Sequence, residues 1–174
     1  MLTGLWLIAL HQRWPTSTRR LNKKIRLYSV LGVGIVWLAS AIVRAAGAES
    51  ATYLTLILVW ALPPVMLQLA YGADMLWQRR ELVLTVIATS TLYLASADAL
   101  AIYQGIWTIA PSTSLQINLL GVLPIEELVF FLITNVLVTF GVMLLIETTS
   151  HQRISRLQRG RLWNLVGGKK GIHT

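Results

Sequence analysis

The 174-residue sequence contains no cysteine, which excludes a disulfide framework, a thiolate metal site, an iron–sulfur cluster and a cysteine nucleophile. Acidic side chains are scarce too. Seven stand against 15 lysines and arginines, and charged residues make up only 13% of the chain, about half the roughly 25% of soluble domains. The histidines, His11, His151 and His173, lie in polar flanks or at the tail, which disfavours a histidine metal site. There is no HExxH pair, glycine-rich phosphate loop, GxSxG elbow or dinucleotide fingerprint. The length leaves no room for a dinucleotide-binding domain beside a substrate domain.

What the chain does have is long apolar runs, with 55% hydrophobic residues. Four segments are long enough to cross a bilayer: Leu27 to Ala46, Tyr53 to Gly72, Leu82 to Tyr103, and Pro124 to Ile146. Each reaches roughly 30 Å as a helix, the thickness of the hydrocarbon layer. The expected fold class is therefore an all-α integral membrane protein, a bundle of about four transmembrane helices. Met1 to Leu10 is apolar but reaches only about 15 Å. Its positive charges follow the apolar stretch, and no small-residue cleavage site is evident, so it does not resemble a secretory signal. It reads as the tail of a helix whose beginning is absent, or as an interfacial segment.

The net charge of +8 raises the question of nucleic acid, and the positions of the basic residues answer it. Arg13, Arg19, Arg20, Lys23, Lys24 and Arg26 precede the first span. Arg79 and Arg80 join the second to the third, and Arg153, Arg156, Arg159, Arg161, Lys169 and Lys170 follow the fourth. With four spans these segments share one face, which the positive-inside rule places in the cytoplasm. The excess charge is thus a topology signal with some attraction to anionic lipid, not a nucleic-acid footprint. The expected arrangement is a multi-pass protein of the cell membrane, with loop 11–26, loop 73–81 and the C-terminus cytoplasmic. Part of 147–174 could form an amphipathic surface helix or only a basic tail. The loop 71–81 reads as a solvated turn in which Asp74 or Glu81 pairs with an arginine, and Trp77 as an interfacial belt residue. Pro63-Pro64 predicts a kink in the second span.

Carboxylates within or beside spans are the informative residues, because an ionised carboxylate is costly in hydrocarbon and normally faces a protein interior. Asp98 lies about 8 Å of helix from the outer end of the third span, where it could serve chemistry or bond a neighbouring helix. In Leu123-Pro-Ile-Glu-Glu-Leu-Val-Phe-Phe, Pro124 suits the first position of a helix, which puts Glu126 and Glu127 in its first turn, level with Asp98. Helix capping accounts well for one glutamate and less well for two. Adjacent positions differ by about 100°, so at least one should point into the bundle. A neutral carboxylic acid in an apolar cavity is what acid catalysis on a hydrocarbon needs. Phe130, Phe131, Tyr93, Tyr103 and Trp107 could offer π faces to a cation, or could serve as core and interface residues.

These residues carry a resemblance. Gly72-Ala-Asp-Met-Leu-Trp77, Tyr93-Leu-Ala-Ser-Ala-Asp98, Ala101-Ile-Tyr-Gln-Gly-Ile-Trp107 and Leu123-Pro-Ile-Glu-Glu127 before Phe130-Phe131 resemble the integral-membrane lycopene cyclase domain, over about half the chain. The family occurs as paired small subunits in some actinobacteria and as tandem fusions in archaea and fungi. Its members carry a three-helix unit twice. This chain carries one such unit, in spans two to four (53–146), after the partial helix and basic loop of 1–26 and the first span 27–46. It looks like a second-half unit.

The resemblance implies protonation of the terminal double bond of an acyclic carotenoid, attack of the neighbouring alkene, and proton loss to close a ring, a redox-neutral isomerisation of the intramolecular lyase type. It implies no cofactor. Glu126, Glu127 and Asp98 are the expected catalytic residues, and Phe130, Phe131, Trp107, Tyr93 and Pro124 the expected substrate-binding ones. The expected partners are the carotenoid, the lipid bilayer and a second cyclase unit, in a hetero- or homo-oligomer. Without that unit the chain would act by self-association or be inactive. The rival readings are a non-catalytic carotenoid-binding or assembly subunit, and a small transporter. The transporter would need a polar path to both faces, whereas the carboxyls lie at one level.

Overall fold

The computed structural model describes residues 23–107 and 111–146, together with Thr3, Gly4, Leu7 and Leu10. The expected tail 147–174 and most of loop 11–26 lie outside the described residues. Four helices dominate: α1 (Lys23–Ala45), α2 (Thr52–Gln78), α3 (Arg80–Tyr103) and α4 (Ile125–Ile146). All four are long and apolar enough to cross a membrane. The chain is an all-α, multi-pass membrane protein, and its extended pairing among the described residues is confined to a small hairpin of β1 (Asn118–Leu119) and β2 (Leu123–Pro124).

α1 packs along α2, and α4 packs against both α2 and α3, which make few contacts with each other. α1 lies at the edge and exposes Leu31, Ile35, Leu38 and Ile42. That exposure suits a bilayer, where the backbone is satisfied within the helix and the solvent is itself apolar. The apolar core gathers toward the end that carries Lys24, Arg26, Arg79 and Arg80. There Val65, Leu69 and Leu76 of α2 meet Leu82 and Val86 of α3, Met143 and Leu144 of α4, and Leu7.

The second span departs from expectation in two respects. Helical dihedrals persist through Pro63 and Pro64, and the break falls at Gly72 (φ −149°, ψ 28°). A β carbon at Gly72 would run into the Leu144 side chain, so glycine is what lets α2 approach α4 there. Proline at 63 still has a consequence. It has no N–H to give the Val59 carbonyl four residues earlier, and the Trp37 indole N–H of α1 donates to that carbonyl at 3.0 Å.

The segment 71–81 is not the expected solvated turn. α2 continues to Gln78 and α3 begins at Arg80, so Asp74 and Arg79 are drawn into the bundle and buried. Asp74 Oδ1 accepts the Met75 N–H at 3.2 Å. Trp77 is about half exposed, and the Arg80 guanidinium lies 5.5 Å from its ring centroid, a cation–π contact.

Candidate functional site

The opposite end of the bundle is built by the chain's return from α3 to α4. A 3₁₀ turn at Pro111–Thr113 packs against the 3₁₀ turn Glu49–Ala51 that precedes α2. The hairpin follows, its strands joined by Leu120, Gly121 and Val122; Leu120 and Gly121 are at positive φ (51° and 74°), and the Val122 N–H donates to the Leu119 carbonyl at 3.1 Å. These are the marks of a type I′ turn. Pro124 pairs with Asn118 as the last residue of β2, and α4 starts at Ile125, whose N–H donates to the Ile117 carbonyl at 2.9 Å. Pro124 therefore stands one residue ahead of the helix instead of in its first position, because the strand pairing claims it. Glu126 and Glu127 remain in the first turn.

Both glutamates are buried, Glu126 completely and Glu127 to 3% exposure. Glu126 is held by the returning loop: its Oε1 accepts the Ser114 hydroxyl at 2.9 Å and the Leu115 N–H at 2.6 Å. Its Oε2 is buried with no hydrogen-bond partner among the described residues. Glu127 turns toward α2, where the Tyr53 hydroxyl donates to its Oε1 at 2.8 Å. Asp98 of α3 is half-buried, and its Oδ2 likewise has no partner among the described residues. Asp98 and Glu126 both lie within electrostatic range of Glu127 and of Tyr53, which groups the three carboxyls with the phenol.

The aromatic residues are distributed more widely. Phe130 and Phe131 lie one turn below the glutamates, half-buried and edge-to-face, with centroids 5.6 Å apart. Trp107 stands just beyond the end of α3 and is about one-third exposed, whereas Tyr93 is on the open face of α3 at 62% exposure. Tyr103 is more exposed still. Further down α4, roughly 12 Å below Glu127, buried Asn135 accepts the Thr3 hydroxyl at 2.7 Å and donates to Thr91 Oγ1 at 3.1 Å. Sequence reasoning misses Tyr53 and Ser114. Tyr53 reads only as the start of the second span, although that places it level with the carboxyls. Ser114 lies in a connection with no motif to mark it.

This arrangement can hold and deliver protons in surroundings that are otherwise apolar. A carboxyl in such a place has little alternative to pairing or carrying its proton. The two glutamates are adjacent in sequence but have different neighbours, so they are not chemically equivalent.

No protein-family model matches the chain, and no solved structure matches it with significance. Curated proteins do. The chain is 38% identical over 144 residues to a lycopene beta-cyclase of Halobacterium salinarum, an alignment that covers 83% of this chain and 59% of that protein. It is 31% identical over 134 residues to a bifunctional lycopene cyclase/phytoene synthase of Aspergillus oryzae, covering 75% of this chain and 23% of the fungal one. A protein of the same description from Phaeosphaeria nodorum is 45% identical over 92 residues, 52% of this chain and 16% of its own length. The chain thus spans about three fifths of the archaeal relative's length and less of the fungal ones. With identity this high across four-fifths of its length, the chain belongs to the lycopene cyclase domain family.

Proposed function

We propose that this chain cyclises the end group of an acyclic carotenoid such as lycopene, as one half of a composite site completed by a second three-helix unit. The observation that carries the proposal is the pair of buried glutamates at the start of α4, grouped with Asp98 and Tyr53 in a membrane bundle. The similarity to a lycopene beta-cyclase supports the choice of substrate.

In this reading Glu126 is the acid. Both donors that reach it bind Oε1, so a proton on Glu126 would sit on Oε2, the oxygen with no competing acceptor among the described residues. It passes to the terminal double bond, and the neighbouring alkene attacks the resulting cation to form the ring bond. Loss of a ring proton then restores a double bond, so atoms and electrons balance without a redox partner. Glu127, bonded to Tyr53, receives or returns the proton, and Asp98 supports the negative potential that stabilises the cation. Phe130 and Phe131 offer π faces beside it. The charge bias supports an orientation in which the end that carries Lys24, Arg26, Arg79 and Arg80 faces the cytoplasm.

The test is pigment chromatography in a lycopene-accumulating bacterial host that expresses this chain alone and with a first-half cyclase unit. Cyclic product only in the pair supports a composite site, and product from the chain alone supports a self-sufficient or self-associated unit. Acyclic pigment in both, with the protein present in the membrane, would overturn the catalytic reading in favour of a binding or assembly subunit.

A further inference from the structure

The connection from Gln104 to Pro124 contains no charged residue. The other connection at this end of the bundle holds Glu49, and the junction at the far end holds Arg79 and Arg80. A loop that rests in water gains nothing by excluding charge so completely. Its apolar side chains are also open: Ile106 and Ile117 are mostly exposed, and Leu120 at the hairpin tip is 103% exposed. The position of Leu120 adds an independent observation. It occupies the first central site of a type I′ turn at φ 51°, where asparagine, aspartate or glycine is favoured and a branched apolar side chain crowds the backbone. An aqueous turn would keep neither the strain nor the exposed leucine.

The exposed surface also continues into the lipid-facing side of the bundle. Leu92, Leu100 and Tyr103 on the open face of α3 lead directly to Ile106. We propose that the 117–124 hairpin is a lipid-contacting element, with Leu120 at its tip and Ile117 at its base both seated in the bilayer leaflet at this end of the bundle. Leu120 then lies in surroundings that match its side chain, and the turn strain is offset by removing that side chain from water. The segment that leads into the same hairpin is joined to Glu126 through Ser114 and Leu115. The seating of the tip in lipid therefore bears on how that carboxyl is held.

The absence of cysteine makes the test direct. Single nitroxide labels at Leu120→Cys and Ile117→Cys are introduced into the full chain in phosphatidylcholine/phosphatidylglycerol vesicles, and their collision rates with oxygen and with a water-soluble nickel chelate are compared. Leu92→Cys on α3 serves as the lipid reference and Ser50→Cys, exposed before α2, as the aqueous one. The expected result is oxygen access several-fold above nickel access at both hairpin sites, as at position 92. Nickel access equal to that at position 50 would place the turn in water and overturn the proposal. Low access to both reagents, with an immobilised spectrum, would place a second copy or another protein over the hairpin and overturn it equally. If the strained position 120 does not tolerate the label, Ile117→Cys decides alone.

Discussion

Tyr53 and Glu127 join the first turns of two helices that begin at the same end of the bundle: the phenol donates to the carboxylate Oε1 at 2.8 Å across 74 positions of sequence. A hydrogen bond to a charged group contributes about 1.5–3 kcal/mol, and each 1.36 kcal/mol is about tenfold in rate. Tyr53→Phe keeps the ring and loses the donor. On the proposed function, carotenoid conversion is expected to fall by about tenfold to a hundredfold, measured as initial rate of cyclic product in membranes that also hold the second unit, while the protein level stays unchanged.

Glu126 and Glu127 should separate under conservative substitution. In Glu126→Gln the amide oxygen still accepts from Ser114 and Leu115, so the chain folds and inserts, but it can no longer serve as an acid. General acid catalysis contributes about 10²–10⁴-fold, and ring formation should drop by that order. Ser114→Ala removes one of two donors to the same oxygen and should cost only about 1 kcal/mol, leaving product readily detectable. Equal loss in both variants would mean that Glu126 matters through the loop it anchors and not as an acid.

The Trp37 indole and the Val59 carbonyl form a contact that Pro63 makes necessary. Trp37→Phe strands that carbonyl in hydrocarbon, at an expected cost of about 1–3 kcal/mol in detergent unfolding. Pro63→Ala restores a helical N–H for the same carbonyl. In that background Trp37→Phe should cost measurably less, and a double-mutant cycle reads the difference. Additivity within about 0.3–0.5 kcal/mol would show that the indole contributes packing alone.

Gly72 is set by its neighbour on α4. Gly72→Ala brings a β carbon against the Leu144 side chain, and overpacking of this kind typically costs about 1–3 kcal/mol. Shortening the obstructing side chain in Gly72→Ala/Leu144→Ala should recover part of the loss relative to the sum of the single changes. The checking measurement is thermal unfolding of the purified protein in detergent.

Membrane spans and their number are legible in the residues themselves, because crossing a bilayer depends on hydropathy summed along one local segment. The three conspicuous carboxyls are legible for a related reason: a charge in an apolar stretch is costly wherever its neighbours lie, so Asp98, Glu126 and Glu127 declare themselves by position alone. The bend of α2 is not, and Pro63-Pro64 points to the wrong place for it, since a proline can remain in a helix when a side chain such as Trp37 takes up the freed carbonyl. Asp74 reads as solvated because it falls between two apolar spans and shortly before the charged run Arg79-Arg80-Glu81, yet α2 continues past it and buries it.

Sequence alone determined the membrane class, the spans and the glutamate pair at one helix start, since each follows from the chemistry of residues close together along the chain. Tertiary structure alone decided that Ser114 and the Leu115 backbone fasten Glu126, that the Tyr53 hydroxyl meets Glu127, and that Gly72 is where α2 accommodates Leu144. Those partners come from separate segments, 11 to 74 positions apart, and only the packing of helices on one another chooses which of many chemically acceptable pairs come into contact.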